Sequence, residues 1–146
     1  MNQDLLFYVF RDEKNLPTAG PQTFQIKLDG AQFPTLAKLY LVLNKELQFG
    51  GTFGNNLDAL FDSMTDLSWR TEKKFRFFFT NSEDFLIDED DDTLIDFLNT
   101  LNDISGSIND EPSFSEQSRS MTFYFQSTDR MEQLLDDAYI IWEPLD

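Results

Sequence analysis

The sequence predicts an α/β fold: a small parallel β-sheet covered by helices, with further elements at both chain ends extending the sheet. Three observations lead there. Short apolar runs such as Phe77-Phe78-Phe79, inside Lys74–Thr80, read as strands covered on both faces, the habit of parallel sheets. Between them lie stretches with apolar residues at i, i+3, i+4 and i+7, the spacing of amphipathic helices. Leaving the ends aside, the order is strand, helix, helix, strand, helix, strand. Helices between successive strands imply parallel pairing through right-handed crossovers.

Taken in order, Leu5–Phe10 is a continuous apolar and aromatic run, read as a strand buried on both faces. Arg11 to Asn15 and Pro17 to Pro21 form a polar, breaker-rich loop. Thr23–Leu28 alternates, with Phe24, Ile26 and Leu28 on one face and Gln25 and Lys27 on the other, and Asp29-Gly30 ends it. Pro34-Thr35 opens a helix whose inward stripe is Leu36, Leu39, Tyr40, Leu43 and Leu47. The glycine loop Gly50–Gly54 separates it from a second helix, with Leu57, Leu60, Phe61 and Met64 on its buried stripe and Asn55 or Asn56 as N-cap. Trp69, at the exit of that helix, belongs either to the core or to the rim of a binding face. Lys74–Thr80 is the central strand, stopped by Asn81-Ser82.

Asp91 or Asp92 caps a third helix, whose buried face is Leu94, Ile95, Phe97, Leu98 and Leu101. Asp103 to Arg119 is rich in Ser, Gly, Asn, Pro and acids and is expected as a loop. Met121–Gln126 reads as a strand, Thr128 caps a short helix over Asp129–Ala138, and Tyr139–Trp142 reads as a terminal strand. No linker or repeat divides the chain, so residues 1–146 are expected to form one domain.

The chain of 146 residues carries a net charge of −16 and contains neither cysteine nor histidine. Thiol catalysis, thiolate metal sites and disulfides are thereby excluded, as are the Ser–His and Cys–His nucleophile systems. So acidic a surface repels nucleic acid phosphates and anionic membranes and attracts basic proteins. The acidic run Asp88-Glu89-Asp90-Asp91-Asp92 lacks the spaced ligands and central glycine of a calcium loop, so neither metal nor cofactor is expected. The first residues carry no basic segment of a secretory signal, and no stretch approaches the roughly 20 apolar residues of a membrane span. A cytoplasmic protein is the expectation.

One locally unfavourable choice stands out. Asp58, Asp62 and Asp66 stand one turn apart on the outer face of the second helix. Asp58 lies in the first turn, where the helix dipole favours a negative charge. Asp62 has no such help and repels carboxylates at i−4 and i+4, each pair costing roughly 0.2–0.5 kcal/mol. Such a choice marks either a working site or a merely solvated helix face.

The run Phe53-Gly54-Asn55-Asn56-Leu57-Asp58-Ala59-Leu60-Phe61-Asp62 resembles the signature of the barstar family, aromatic-Gly-x-Asn-Leu-Asp-Ala-Leu-aromatic-Asp. Asp29-Gly30 and Asn44-Lys45-Glu46-Leu47 resemble further family segments at matching spacing. The resemblance covers roughly residues 23–126 and leaves 1–22 and 127–146 as terminal extensions, expected to add strands and cover a sheet edge. It implies a three-stranded parallel sheet and a small acidic inhibitor that plugs the active site of a ribonuclease.

By position, Asp62 matches the family's principal anchor, a carboxylate entering the enzyme's phosphate pocket, and Asp58 a second contact. The partner-binding set implied is Asp62, Asp58, Asn56, Phe61, Thr52, Gly54 and Trp69. Departures accompany it: Thr52 stands at a family tyrosine position and Phe61 at a tryptophan. Neither Asn99 nor Thr100 supplies the glutamate the family carries near there. The expectation is a bacterial immunity protein, monomeric and binding a basic nuclease toxin of its own one to one. It binds neither nucleic acid nor membrane. An acidic adaptor that imitates nucleic acid is the alternative. An enzyme would have to rely on Asp58 and Asp62, which share one convex helix face rather than facing each other across a cleft.

Overall fold

The computed structural model describes residues 6–109 and 119–145. Five strands, β1 (Phe7–Phe10), β2 (Thr23–Asp29), β3 (Lys74–Thr80), β4 (Ser120–Gln126) and β5 (Glu143–Leu145), form one sheet in the order β2-β3-β4-β1-β5. Every pairing is parallel. The helices are α1 (Leu36–Leu47), α2 (Leu57–Asp66), α3 (Asp91–Asn109) and α4 (Asp129–Asp137).

The strand order dictates where the connections run. From β2 through β3 and β4 to β5 the chain steps in one direction, so right-handed crossovers put all four helices on one face. The return from β1 to β2 steps back over β4 and β3, and must cross the other face. The packing agrees. Buried residues of all four helices share a core with Phe7, Val9, Leu28, Phe75, Phe77, Phe79, Met121, Phe123 and Phe125. On the opposite face Leu16, from the returning segment, packs with Tyr8, Phe10, Phe78, Tyr124 and Leu145. Arg76 donates to the Thr18 carbonyl (3.3 Å) and the Gln25 side chain (2.8 Å), and Lys27 meets Glu13 at 2.8 Å, holding that segment down.

Phenylalanine dominates the helix-side core because parallel register stacks rings across strands. Phe77 is level with Phe123 and Phe79 with Phe125 once the neighbouring register is followed. The Phe79 and Phe125 rings lie 4.6 Å apart and nearly parallel, and Phe77 and Phe123 5.3 Å apart. Such pairs contribute about 0.5–1.5 kcal/mol beyond the area they bury.

Asp29-Gly30 closes the end of β2. The Asp29 carboxylate accepts from the Ala31 N–H (3.0 Å) and from the Asn81 amide (2.7 Å), tying the ends of β2 and β3 together. Gly30 is buried between them, and a Cβ there would collide with the backbone carbonyl oxygens of Asn81 and Thr80. Only glycine fits.

Four expectations need correction. Helix α3 continues to Asn109, so residues 103–109 are not loop, and 110–118 lie outside the described residues. Leu101, Ile104, Ser105 and Ile108 extend its buried stripe, and the Ser105 hydroxyl donates to the Met121 carbonyl at 2.9 Å. Burial against β4 outweighs the poor helix propensity of the segment. The cap of α3 is Asp90, not Asp91 or Asp92: its carboxylate accepts from the Thr93 N–H at 2.7 Å. That bonding to Thr93 lowers the Asp90 pKa from the ordinary carboxylate value. Tyr139–Trp142 is not a strand. Tyr139 has φ +58, the Ile140 N–H returns to the Leu135 carbonyl to finish α4, and the strand follows at Glu143–Leu145. Lastly, the first strand begins at Phe7 rather than Leu5, and Leu5 is outside the described residues.

Candidate functional site

Helix α2 is fixed at both ends. The Asn56 side-chain oxygen accepts from the Ala59 N–H at 2.7 Å, and its amide donates to the Gly54 carbonyl at 3.2 Å. Asn56 is therefore the N-cap, and its side chain is already committed within the chain. At the other end Leu67 takes a left-handed conformation, and the Arg119 guanidinium donates to the carbonyls of Asp66 (2.8 Å) and Leu67 (3.2 Å). A cation there satisfies carbonyls that lack helical partners and complements the negative end of the dipole.

Leu60 and Met64 are buried and Leu57 and Phe61 half-buried against the core, so the opposite side is what α2 presents. Asp58, Asp62 and Asp66 are all exposed on it. Among the described residues no Lys or Arg forms an ion pair with them.

The loop before α2 is also held in one shape. Gly50 has φ +98, open to glycine and strained for other residues. The Asn44 side chain clasps it, accepting from the Gly50 N–H (3.0 Å) and donating to the Gly50 carbonyl (3.2 Å). Phe53 packs against Phe49 (5.0 Å) and edge-on to Tyr40 (5.8 Å), which roots the loop in the core. A Cβ on Gly54 would stand 3.3 Å from Ala59 Cβ and from the Asn56 amide, close enough to disturb the cap. Thr52, Gly54, Asn56, Asp58 and Asp62 are thus exposed along one continuous, fixed run, with Phe61 half-buried beneath it.

Trp69 is not a core residue: it is 41% exposed, its indole N–H donates to the Leu47 carbonyl at 2.8 Å, and its ring meets Phe49 edge-on. Beside it Arg70 forms a two-point pair with Glu72 (2.6 and 3.1 Å), reaches the Glu46 carbonyl and lies over the Phe24 ring. The Arg70 hydrogen bonds hold the Glu72 carboxyl below its ordinary pKa. A depressed acid pKa contributes stability that is present above the ordinary value, near pH 4.3, and is lost as pH falls through the lowered one. The stability gap between the wild type and Glu72→Gln is accordingly expected to stay constant at neutral pH and narrow below about pH 4. Acid titration of denaturant midpoints checks this, and a gap that widens toward low pH contradicts it.

Besides Arg119, two contributors escaped the sequence reading. Asn44 is one. It entered only as part of the Asn44-Lys45-Glu46-Leu47 resemblance, and nothing local marked its side chain as the clasp on the glycine loop. Asn44→Ala is expected to weaken partner binding several-fold and to speed amide exchange over residues 50–53, at a stability cost of about 1 kcal/mol. Unchanged exchange in that loop would show that the clasp does not position it. Glu89 is the other. From inside the acidic run it accepts from the Leu36 N–H at 2.8 Å, across 53 residues, and caps α1. Burial, and secondarily the Glu89 charge, raises the pKa of the nearby Tyr40 hydroxyl.

Charge is distributed very unevenly. Residues 46–69 and 77–118, which include α2 and α3, hold 16 of the 27 acidic residues and no Lys or Arg. The remaining 11 acids balance the 11 basic residues, so the whole net charge belongs to those two segments. Helices α2 and α3 pack against each other, which brings Asp58, Asp62 and Asp66 of one and Asp91, Asp92, Asp96 and Asp103 of the other onto adjoining helices. No group of His, Cys, Asp and Glu among the described residues is arranged to hold a metal ion.

A small parallel sheet with helices on one face and a row of exposed carboxylates on α2 defines an acidic α/β protein. The family profile of barstar, the barnase inhibitor, matches residues 23–126, and the chain belongs to that family. Among curated proteins none matches it. The family's members are inhibitors that bind a ribonuclease, not enzymes. Strands β1 and β5 and helix α4 lie outside the matched residues.

Proposed function

We propose that this chain is an immunity protein that binds a basic ribonuclease, or a related nuclease toxin, and occludes its active site. The contact surface is the outer face of α2 with the loop before it, and the chain acts as one domain and one copy per enzyme. Asp62 is the anchor. Its exposed carboxylate, unpaired within the described chain, offers the enzyme's phosphate-binding Arg and Lys groups the charge-assisted hydrogen bonds a phosphate would. Asp58 gives a second charge one turn away. Thr52, Gly54, Asn56, Phe61 and Trp69 shape the surroundings, the departures at Thr52 and Phe61 suiting a target of its own.

The observation that carries this reading is the exposed Asp58–Asp62 face on a helix capped at both ends and preceded by a clasped loop. Binding to a site held in one shape loses little ordering entropy. The complex forms inside the producing cell, where the toxin is made. No helix among the described residues is long and apolar enough to cross a membrane.

The test is capture from the producing cells followed by titration of the captured protein. One basic nuclease should dominate, and its activity should fall linearly to zero at one equivalent of inhibitor. Capture of many nucleic-acid-binding proteins, with none inhibited stoichiometrically, would instead support the acidic adaptor.

A further inference from the structure

Parallel sheets bind ligands in the crevice at the carboxyl ends of their strands, where neighbouring connections leave toward opposite faces. In this sheet that place lies between β1 and β4. The chain leaves β4 toward the helix side, into α4, and leaves β1 toward the other face, past Leu16. A cleft of about 300 Å³ opens there, lined by Val9, Arg11, Ser127, Glu132, Trp142 and Pro144. All six lie outside residues 23–126, so the cleft is built from what this chain adds to its family.

The lining is chemically specific. Of the five arginines, Arg70, Arg76, Arg119 and Arg130 are all committed to carbonyls or side chains. Arg11 alone has no hydrogen bond or ion pair with a described residue, and it is exposed at the cleft. Trp142 packs partly on the core, and its indole N–H donates to the Asp136 carboxylate at 3.0 Å, which fixes the plane of the ring. Glu132 is half-buried and accepts from the Ser127 hydroxyl at 2.6 Å through one oxygen, leaving acceptor capacity on its carboxylate.

An oriented indole, an uncommitted guanidinium and a half-buried carboxylate suit a planar ring that carries an anionic group and its own N–H donors. The volume stands at the small end of ligand sites. We propose that this cleft binds a nucleoside monophosphate: the base stacks on Trp142, its N–H groups donate to Glu132, and the phosphate projects to Arg11. Guanine, whose pairing edge offers adjacent N–H donors, fits Glu132 best. The site is separate from the α2 surface and does not depend on its function.

The experiment is titration of the full chain with each of the four ribonucleoside monophosphates, followed by calorimetry and by the amide and indole NMR signals. Parallel titrations use guanosine and inorganic phosphate. Saturable binding of the guanosine monophosphate is expected, with the Trp142 indole signal moving and the Trp69 signal still. Arg11→Gln, at an exposed position that leaves folding intact, should weaken the monophosphate at least tenfold and leave guanosine unchanged. Glu132→Gln should reduce the preference for guanine, and Trp142→Phe should retain weaker binding. The proposal is overturned if no monophosphate saturates at millimolar concentration. Binding that matches inorganic phosphate alone, or that Arg11→Gln leaves untouched, also overturns it.

Discussion

Asp62→Ala is expected to weaken binding to the cognate nuclease by at least about 2 kcal/mol, roughly thirtyfold, because the enzyme's buried cations lose their partner. The barstar–barnase pair is itself a type example for such magnitudes, so this figure is carried from the family rather than read from this structure. Folding should respond the other way. Asp62 is exposed and one turn from both Asp58 and Asp66, so removing its charge relieves like-charge repulsion. Stability should hold or rise by a few tenths of a kcal/mol. A mutation that leaves the fold intact and weakens binding this much separates a working residue from a structural one. The loss should appear in the off-rate, since the rest of the acidic side still steers encounter. Asp88→Ala, exposed in the other acidic run and off α2, should barely change residence time. Equal, slight weakening by both substitutions would mean that diffuse charge does the binding.

Gly30→Ala should cost about 3 kcal/mol or more of stability. The added methyl meets the Asn81 and Thr80 carbonyls, backbone atoms fixed by the β2–β3 ladder and by the Asp29–Asn81 bond, so no side chain can swing aside. Gly20→Ala is the control, because a Cβ there meets nothing within 4 Å. It should stay within about 0.5 kcal/mol of the wild type. Urea midpoints at unchanged slope measure both. If the two substitutions prove equally mild, the close approach at the ends of β2 and β3 is absent in solution.

Much of this architecture was legible because each strand and helix carried its own period. Thr23–Leu28 alternates and pairs at the sheet edge, and the Phe77-Phe78-Phe79 run sits in the interior strand β3, as continuous apolarity implies. The stripe Leu36, Leu39, Tyr40, Leu43 and Leu47 is the buried face of α1. Asn56 caps α2 because an asparagine directly before a periodic apolar run has few other uses.

Non-local partners defeated the rest. Ser105-Gly106-Ser107 is poor helix material, and only β4, reached through the Ser105–Met121 bond, makes a helix of it. Tyr139 to Trp142 has strand composition, but the end of α4 claims Ile140, and Tyr139 is left 92% exposed. At the candidate site the same division holds. The positions of Asp58 and Asp62 follow from helical spacing. The Asn44 clasp on Gly50, the Arg119 cap on α2 and the Glu89 cap on α1 join residues that no local pattern links.

The central claim, that the α2 surface fills the enzyme's active site, is tested most directly by competition. The cognate nuclease is loaded with increasing amounts of a nucleotide inhibitor that occupies its phosphate pocket, and the association rate of this protein is then measured. The account predicts mutually exclusive binding, with the observed rate falling in proportion to the fraction of free active sites and Asp62→Ala showing the same exclusion at lower affinity. Formation of a stable ternary complex, with nucleotide and this protein bound together at undiminished affinity, would contradict it.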